Sequence, residues 1–208
     1  MKILLIGASG MIGAAILSEA SGRGHSIFAV ARHPQNIDPS KATTVKGADG
    51  ANRPELEPLV RDVDVIVSSV SPRGEGDQTE QALGVARTLA GLAAAHDKRL
   101  VVVGGAGSLK LADGTPVLDT LPELYQGEAR AMRAVLDLLK SSPVDWTFFS
   151  PAALIEPGAK TGQFRLGHDT LLVDGKGKSR ISVEDFASAL VDELEIHAHG
   201  RQQMTIGY

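Results

Sequence analysis

The chain has 208 residues, 43% hydrophobic and 22% charged, with a formal net charge of −4 at pH 7. That length suits one α/β domain around a continuous core, and the mildly acidic balance gives no general attraction for nucleic acid or anionic membranes. Cysteine is absent, which excludes disulfides, thiolate metal sites and cysteine nucleophiles.

The first apolar run, Ile3 to Ile6, fits a strand buried on both faces. It is too short for the apolar region of a signal peptide, and no stretch reaches the length of a membrane span, so a cytoplasmic location is expected. Gly7 to Gly13 breaks the run. Met11 to Ser21 then carries Met11, Ile12, Ala15, Ile16 and Ala20 at helical spacing, before Gly22 and Gly24. Ser26 to Ala31, Thr43 to Lys46 and Val63 to Val70 read as three more strands. Gln78 to His96 reads as a helix, Leu100 to Val103 as a strand, Glu128 to Lys140 as a helix and Trp146 to Phe149 as a sixth strand. Strands alternating with helices predict a doubly wound, mostly parallel α/β sheet with helices on both faces.

After Pro151 the rhythm changes. Gln163 to Leu166 and Leu171 to Asp174 flank a turn at Gly167, His168 and Asp169, which predicts a small hairpin. Ser182 is the predicted N-cap of the last helix, with Asp185 at the capping-box position. Met204 to Ile206 is expected to return as an edge strand. With no linker and no internal repeat, residues 1–208 are expected to form a single domain. Its segment from 151 onward would supply the substrate-side elements.

Gly7-Ala8-Ser9-Gly10-Met11-Ile12-Gly13 has the form GxxGxxG. The spacing alone is a weak signal, because glycine makes up 23 of the 208 residues. This triplet, however, follows an apolar strand, opens an amphipathic helix and begins a βαβ series. There, one glycine permits the tight turn, another lets the backbone approach a pyrophosphate and the third lets helix and strand pack closely. The phosphates then meet free N–H groups at the positive end of the helix. The arrangement predicts a Rossmann-type dinucleotide site. The second strand ends Val30-Ala31-Arg32-His33-Pro34, with no carboxylate to hold a ribose 2′-hydroxyl. Arg32 stands where a 2′-phosphate would lie, and a guanidinium grips phosphate with a planar fork, which favours NADPH over NADH. His33 and Lys46 could assist, but read more simply as surface charge.

Further segments carry a family resemblance. With the glycine turn, Val101-Val102-Val103-Gly104-Gly105-Ala106-Gly107-Ser108-Leu109 and Asp145-Trp146-Thr147-Phe148-Phe149-Ser150-Pro151-Ala152 resemble the atypical short-chain dehydrogenase/reductases. So do Pro157 to Gly162, Ile181 to Ala187 and the tail Met204 to Tyr208. Within them the chain is similar to the bacterial NADH-flavin reductase group, related to biliverdin reductase B and the NmrA-like proteins, from end to end. The resemblance implies that Gly104 to Ala106 and Pro151, Ala152, Ala153 and Leu154 flank a nicotinamide. It places Ser68, Ser69 and Val70 beside the riboses, and Ala48 and Asp49 at the adenine.

Typical short-chain dehydrogenases use Tyr-x-x-x-Lys, the lysine lowering the tyrosine pKa. Here Tyr125-Gln126-Gly127-Glu128-Ala129 ends in alanine, and glycines displace the usual serine to Ser108. Flavin reduction needs less, because the cofactors carry the chemistry while the protein aligns them. The expected activity is hydride transfer from NADPH to FMN, FAD, a quinone or a similar planar small-molecule acceptor. Tyr125 or Ser108 would steer the acceptor or relay a proton. An NmrA-like NADP sensor without turnover, and an isomerase or epimerase of a small substrate, are the alternatives. No metal site is read: HExxH is missing, and His197 and His199 are expected on different sides of a helix. Glu184, Asp185, Glu193 and Glu195 are expected to form a solvated helix face, and Trp146 to belong to the core. Neither nucleic acid nor membrane is an expected partner, and the chain is expected to act as a monomer or homodimer.

Overall fold

The structure is a computed structural model that describes residues 1–72 and 76–208. Seven strands run parallel: β1 (Lys2–Ile6), β2 (Ser26–Ala31), β3 (Thr44–Gly47), β4 (Val65–Ser68), β5 (Arg99–Val103), β6 (Trp146–Ser150) and β10 (Gln202–Gly207). With the antiparallel β8 (Arg165–Gly167) they form one eight-stranded sheet in the order β3-β2-β1-β4-β5-β6-β10-β8. β7 (Leu154–Glu156) and β9 (Arg180–Ser182) pair with each other outside it.

The continuous apolar strands follow from burial on both faces. Successive side chains of a strand point to opposite sides. Ile3 and Leu5 of β1 pack with α1 (Met11–Gly22) and α5 (Val183–Ile196). Leu4 and Ile6 pack with α2 (Arg53–Val60), α3 (Gln78–Ala95) and α4 (Glu123–Lys140). A polar residue at any of these four positions would meet apolar neighbours on whichever face it pointed to. Phe149 of β6 stacks on Phe186 of α5 with ring centroids 4.5 Å apart, a geometry that contributes about 0.5–1.5 kcal/mol beyond the area buried. Trp146 is buried, as expected of a core residue. The strand order reverses at β1, which lies between β2 and β4. A crevice therefore opens beyond the carboxyl ends of these strands, the usual ligand position in such sheets.

Several sequence expectations give way to long-range contacts. Gln163–Leu166 and Leu171–Asp174 do not pair as a hairpin: β8 is antiparallel to β10, and Leu171 N–H donates to the Lys110 carbonyl at 2.8 Å. β10 is therefore interior, between β6 and β8, rather than an edge strand. α4 begins at Glu123, well before Glu128, and β4 is shorter than Val63 to Val70. α2 was not anticipated. Its Pro54 falls in the first turn, where a missing N–H costs nothing, but the second proline, Pro58, sits inside the helix and obscures the pattern.

The acidic residues of α5 are not one solvated face. Asp185 is fully buried and accepts from the Thr161 N–H and hydroxyl, the Gly162 N–H and the Tyr208 hydroxyl. Glu193 is also buried, paired with Arg99 and with His199 Nδ1 at 2.7 Å. His197 and His199 lie beyond α5 rather than on opposite sides of it. His197 adopts a left-handed conformation, φ 54°, that ends the helix. Among the described residues, no helix is long and apolar enough to cross a membrane.

Candidate functional site

The glycine turn is built from backbone. Gly7 has φ +88°, a conformation that side chains other than glycine rarely adopt. The N–H groups of Gly7 and Ala8 both donate to the Val30 carbonyl, at 2.8 and 3.1 Å, which ties the turn to β2. A Cβ on Gly13 would stand 2.1 Å from the Gly7 carbonyl oxygen, so α1 packs directly on the turn. Gly10 is the N-cap, and α1 has no side-chain cap and no acidic residue in its first turn. Its leading N–H groups are thus left to an outside acceptor at the positive helix end. A Cβ on Gly10 would meet only the Gly7 carbonyl, at 3.4 Å, so the space above it is open.

That space is a cleft of about 1240 Å³ along the carboxyl ends of the strands, more than the roughly 300–1,000 Å³ of a site for one small ligand. Gly7, Ser9, Gly10, Met11 and Ile12 line it at the turn, with Arg32 after β2 and Ala48 and Asp49 after β3. Ser69 and Val70 follow from β4, Gly104, Gly105 and Ala106 from β5, and Pro151, Ala152, Ala153 and Leu154 from β6. The Ser69 hydroxyl lies 3.1 Å from the carbonyls of both Ile6 and Gly7, so it also braces the turn.

Four predicted residues lie off the cleft. Ala8 is buried in the core, and Gly13 serves helix packing. Ser68 is buried between the sheet and the α3–α4 layer, beside Val85 and Met132. Ser108 faces away from the cleft as well. Its hydroxyl donates to the Gly105 carbonyl at 2.7 Å, stands 2.9 Å from the Ser150 hydroxyl and accepts from Gln203 Nε2 at 2.9 Å. This buried network fixes the turn after β5, and Ser108 therefore works on the backbone of the site rather than on a ligand.

Arg32 is exposed, lines the cleft beside His33 and has no hydrogen bond or ion pair with any described residue. Lys46, by contrast, is engaged with the Glu55 carbonyl at 2.7 Å. Tyr125 stands in the first turn of α4, 58% exposed, with its ring at the cleft. Ala129, one turn further on, is buried and also lines the cleft. It sits against the turn after β5 so closely that a Cβ on Gly107 would come within 2.5 Å of its own Cβ.

The sequence reading missed Ser71, Leu121, Glu128 and Met132, all of which line the cleft. Glu128 had one available signal, its position three residues after Tyr125 on the same helix face. The other three are brought in by tertiary contacts.

The NAD(P)H-binding family pattern matches residues 7–195. The chain belongs to the NAD(P)H-binding family. It is 35% identical to the uncharacterized protein YwnB of Bacillus subtilis over 213 residues, covering 99% of this chain and 98% of that one. A Bacteroides thetaiotaomicron structure provisionally named an epimerase is 39% identical, with a TM-score of 0.90 and coverage of 100% and 96% of the two chains. A Streptococcus pneumoniae structure provisionally named an NADH-flavin reductase is 33% identical, with a TM-score of 0.89 and coverage of 100% and 99%. The residues present fit a nicotinamide dinucleotide. The turn is a cradle that side chains would fill, the first-turn N–H groups are uncapped, and the strand ends offer a groove of sufficient size.

Proposed function

We propose that this member of the family is a reductase that uses NADPH to reduce a flavin, a quinone or a similar planar acceptor. The observation that carries the reading is the cleft wall after β5 and β6. Gly104, Gly105, Ala106, Pro151 and Ala152 present small side chains and backbone, and the position one turn after Tyr125 is Ala129 rather than lysine. Such a wall admits a flat ring and offers no activated phenol for alcohol–ketone chemistry.

The reduced nicotinamide, when bound, supplies the hydride. The chain's own residues bind and align. The first-turn N–H groups of α1 take the pyrophosphate. Arg32 takes the 2′-phosphate through charge-assisted hydrogen bonds. Val70, Leu121 and Met132 exclude water from the ring faces, and Tyr125 steers the acceptor at the mouth of the cleft.

Mixing the protein with NADPH and riboflavin, FMN or 1,4-naphthoquinone, and following absorbance at the nicotinamide band, tests the reading. Oxidation of NADPH dependent on both protein and acceptor is expected. Tight NADPH binding with no acceptor-dependent oxidation would sink it and leave the sensor reading in its place.

A further inference from the structure

The basic side chains of the cleft stand at one end. Among the described lining residues, Arg32 and His33 both follow β2, with Asp49 beside them after β3, whereas Glu80 lies on α3 and Glu128 on α4. β1 and β4 separate β2 from β5, three strand spacings or roughly 14 Å. That exceeds the screening length of about 8–10 Å in physiological salt, so Arg32 cannot neutralise an anion at the α4 end.

The two carboxylates differ in their surroundings. Glu80 is paired with Arg87 at 3.1 Å. Glu128 is held by the Ser71 hydroxyl, which donates to its Oε1 and fastens α4 to the segment after β4. It has no ion pair with any described residue, and its Oε2 carries no hydrogen bond to one. Glu128 also shares a helix face with Tyr125, three residues before it. An acceptor steered by Tyr125 therefore meets a negative charge on the same side, together with a free carboxylate oxygen that accepts an N–H or O–H.

Resting on the reductase reading above, we infer that Glu128 makes the acceptor site selective for uncharged planar acceptors, and against the same rings bearing phosphate, sulfonate or carboxylate. Riboflavin fits this description and FMN does not. The residue acts on specificity: it sets which acceptor enters, while the ring-facing wall after β5 and β6 is unchanged.

The experiment compares matched pairs, riboflavin with FMN and 1,4-naphthoquinone with its 2-sulfonate. Each is measured two ways: as equilibrium binding to the protein saturated with NADP⁺, by fluorescence quenching, and as kcat/KM with NADPH. The neutral partner should be favoured by about three- to tenfold, the scale of one like-charge repulsion across a few ångströms of partly hydrated cleft. Raising the salt concentration should narrow the gap, and Glu128→Gln should largely abolish it. NADPH fluorescence of the variant reports that it is folded. Equal binding of the two partners, or a gap that persists in Glu128→Gln, overturns the inference while leaving the reductase reading intact. If neither pair binds or is reduced although NADPH binds, the reductase reading falls and this inference with it.

Discussion

At the scale of single residues, the glycine turn separates fold from binding. A side chain at Gly13 strikes the Gly7 carbonyl, while one at Gly10 enters open space. Gly13→Ala should therefore destabilise the protein by about 1–3 kcal/mol, the usual cost of overpacking. Gly10→Val should lower Tm by no more than about 4 °C but abolish NADPH binding, because its methyl groups occupy the pyrophosphate space. Thermal melts and NADPH fluorescence on both variants check this, and undiminished binding by Gly10→Val would count decisively against the site. Arg32 yields an independent prediction. A charge-assisted hydrogen bond is worth about 1.5–3 kcal/mol, so Arg32→Ala should weaken NADPH by roughly ten- to a hundredfold and NADH much less. Equal losses for the two cofactors would show that Arg32 does not touch the 2′-phosphate.

At the scale of elements, α5 is locked to the segment before β8 by one buried carboxylate. Asp185 takes four hydrogen bonds, from Thr161, Gly162 and Tyr208. Removing it leaves the Thr161 and Gly162 N–H groups without an acceptor, while the Tyr208 hydroxyl retains Ser182 Oγ at 2.9 Å. Asp185→Ala should cost about 2–4 kcal/mol, and Tyr208→Phe, which removes a single donor, about 1 kcal/mol. Denaturant midpoints measure both, and similar costs for the two variants would argue against the lock. This lock also marks the limit of what the sequence discloses. Strands such as Ile3 to Ile6 were legible because burial on both faces demands an unbroken apolar run, and the glycine turn because its chemistry is local. Asp185 and Glu193 looked like ordinary surface acids, since Thr161, Gly162 and Tyr208, which hold Asp185, and Arg99, which pairs with Glu193, all lie more than a helix away along the chain. The turn at Gly167 to Asp169 suggested a hairpin because the competing partner, β10, is distant in sequence. Ser108 stands off the cleft because its hydroxyl is held both locally, by the Gly105 carbonyl, and by Ser150 of β6 and Gln203 of β10, which are distant in sequence.

At the scale of the whole molecule, the buried carboxylates set the response to acid. Burial by itself would raise Glu193, but hydrogen bonds from His199 and the charge of Arg99 outweigh it and hold the group below its ordinary 4.5. Asp185 is likewise held below 3.8, with the hydrogen bonds from Thr161, Gly162 and Tyr208 overcoming burial. On acidification the unfolded chain binds these protons first, so the stabilisation is complete above about pH 5 and is lost as pH falls through the lower folded values. The urea midpoint should be nearly flat from pH 7 to about pH 5.5 and then fall steeply. Glu193→Gln should start lower and fall less steeply. A variant that declines in parallel with the wild type over the whole acid range would show that Glu193 does not contribute to the slope.

The place of β10 between β6 and β8 also constrains how the molecule is made. β6 and β8 both leave the ribosome before the strand that lies between them. β8 has no partner in the sheet until that strand follows, and the apolar edge of β6 stays bare meanwhile. Closure of the sheet is thus a late event in synthesis, dominated by contacts distant along the chain, which form slowly. A nascent chain stalled just before Gln202 would already hold the glycine turn and β1 to β6, yet would expose a strand edge to any neighbour able to pair with it.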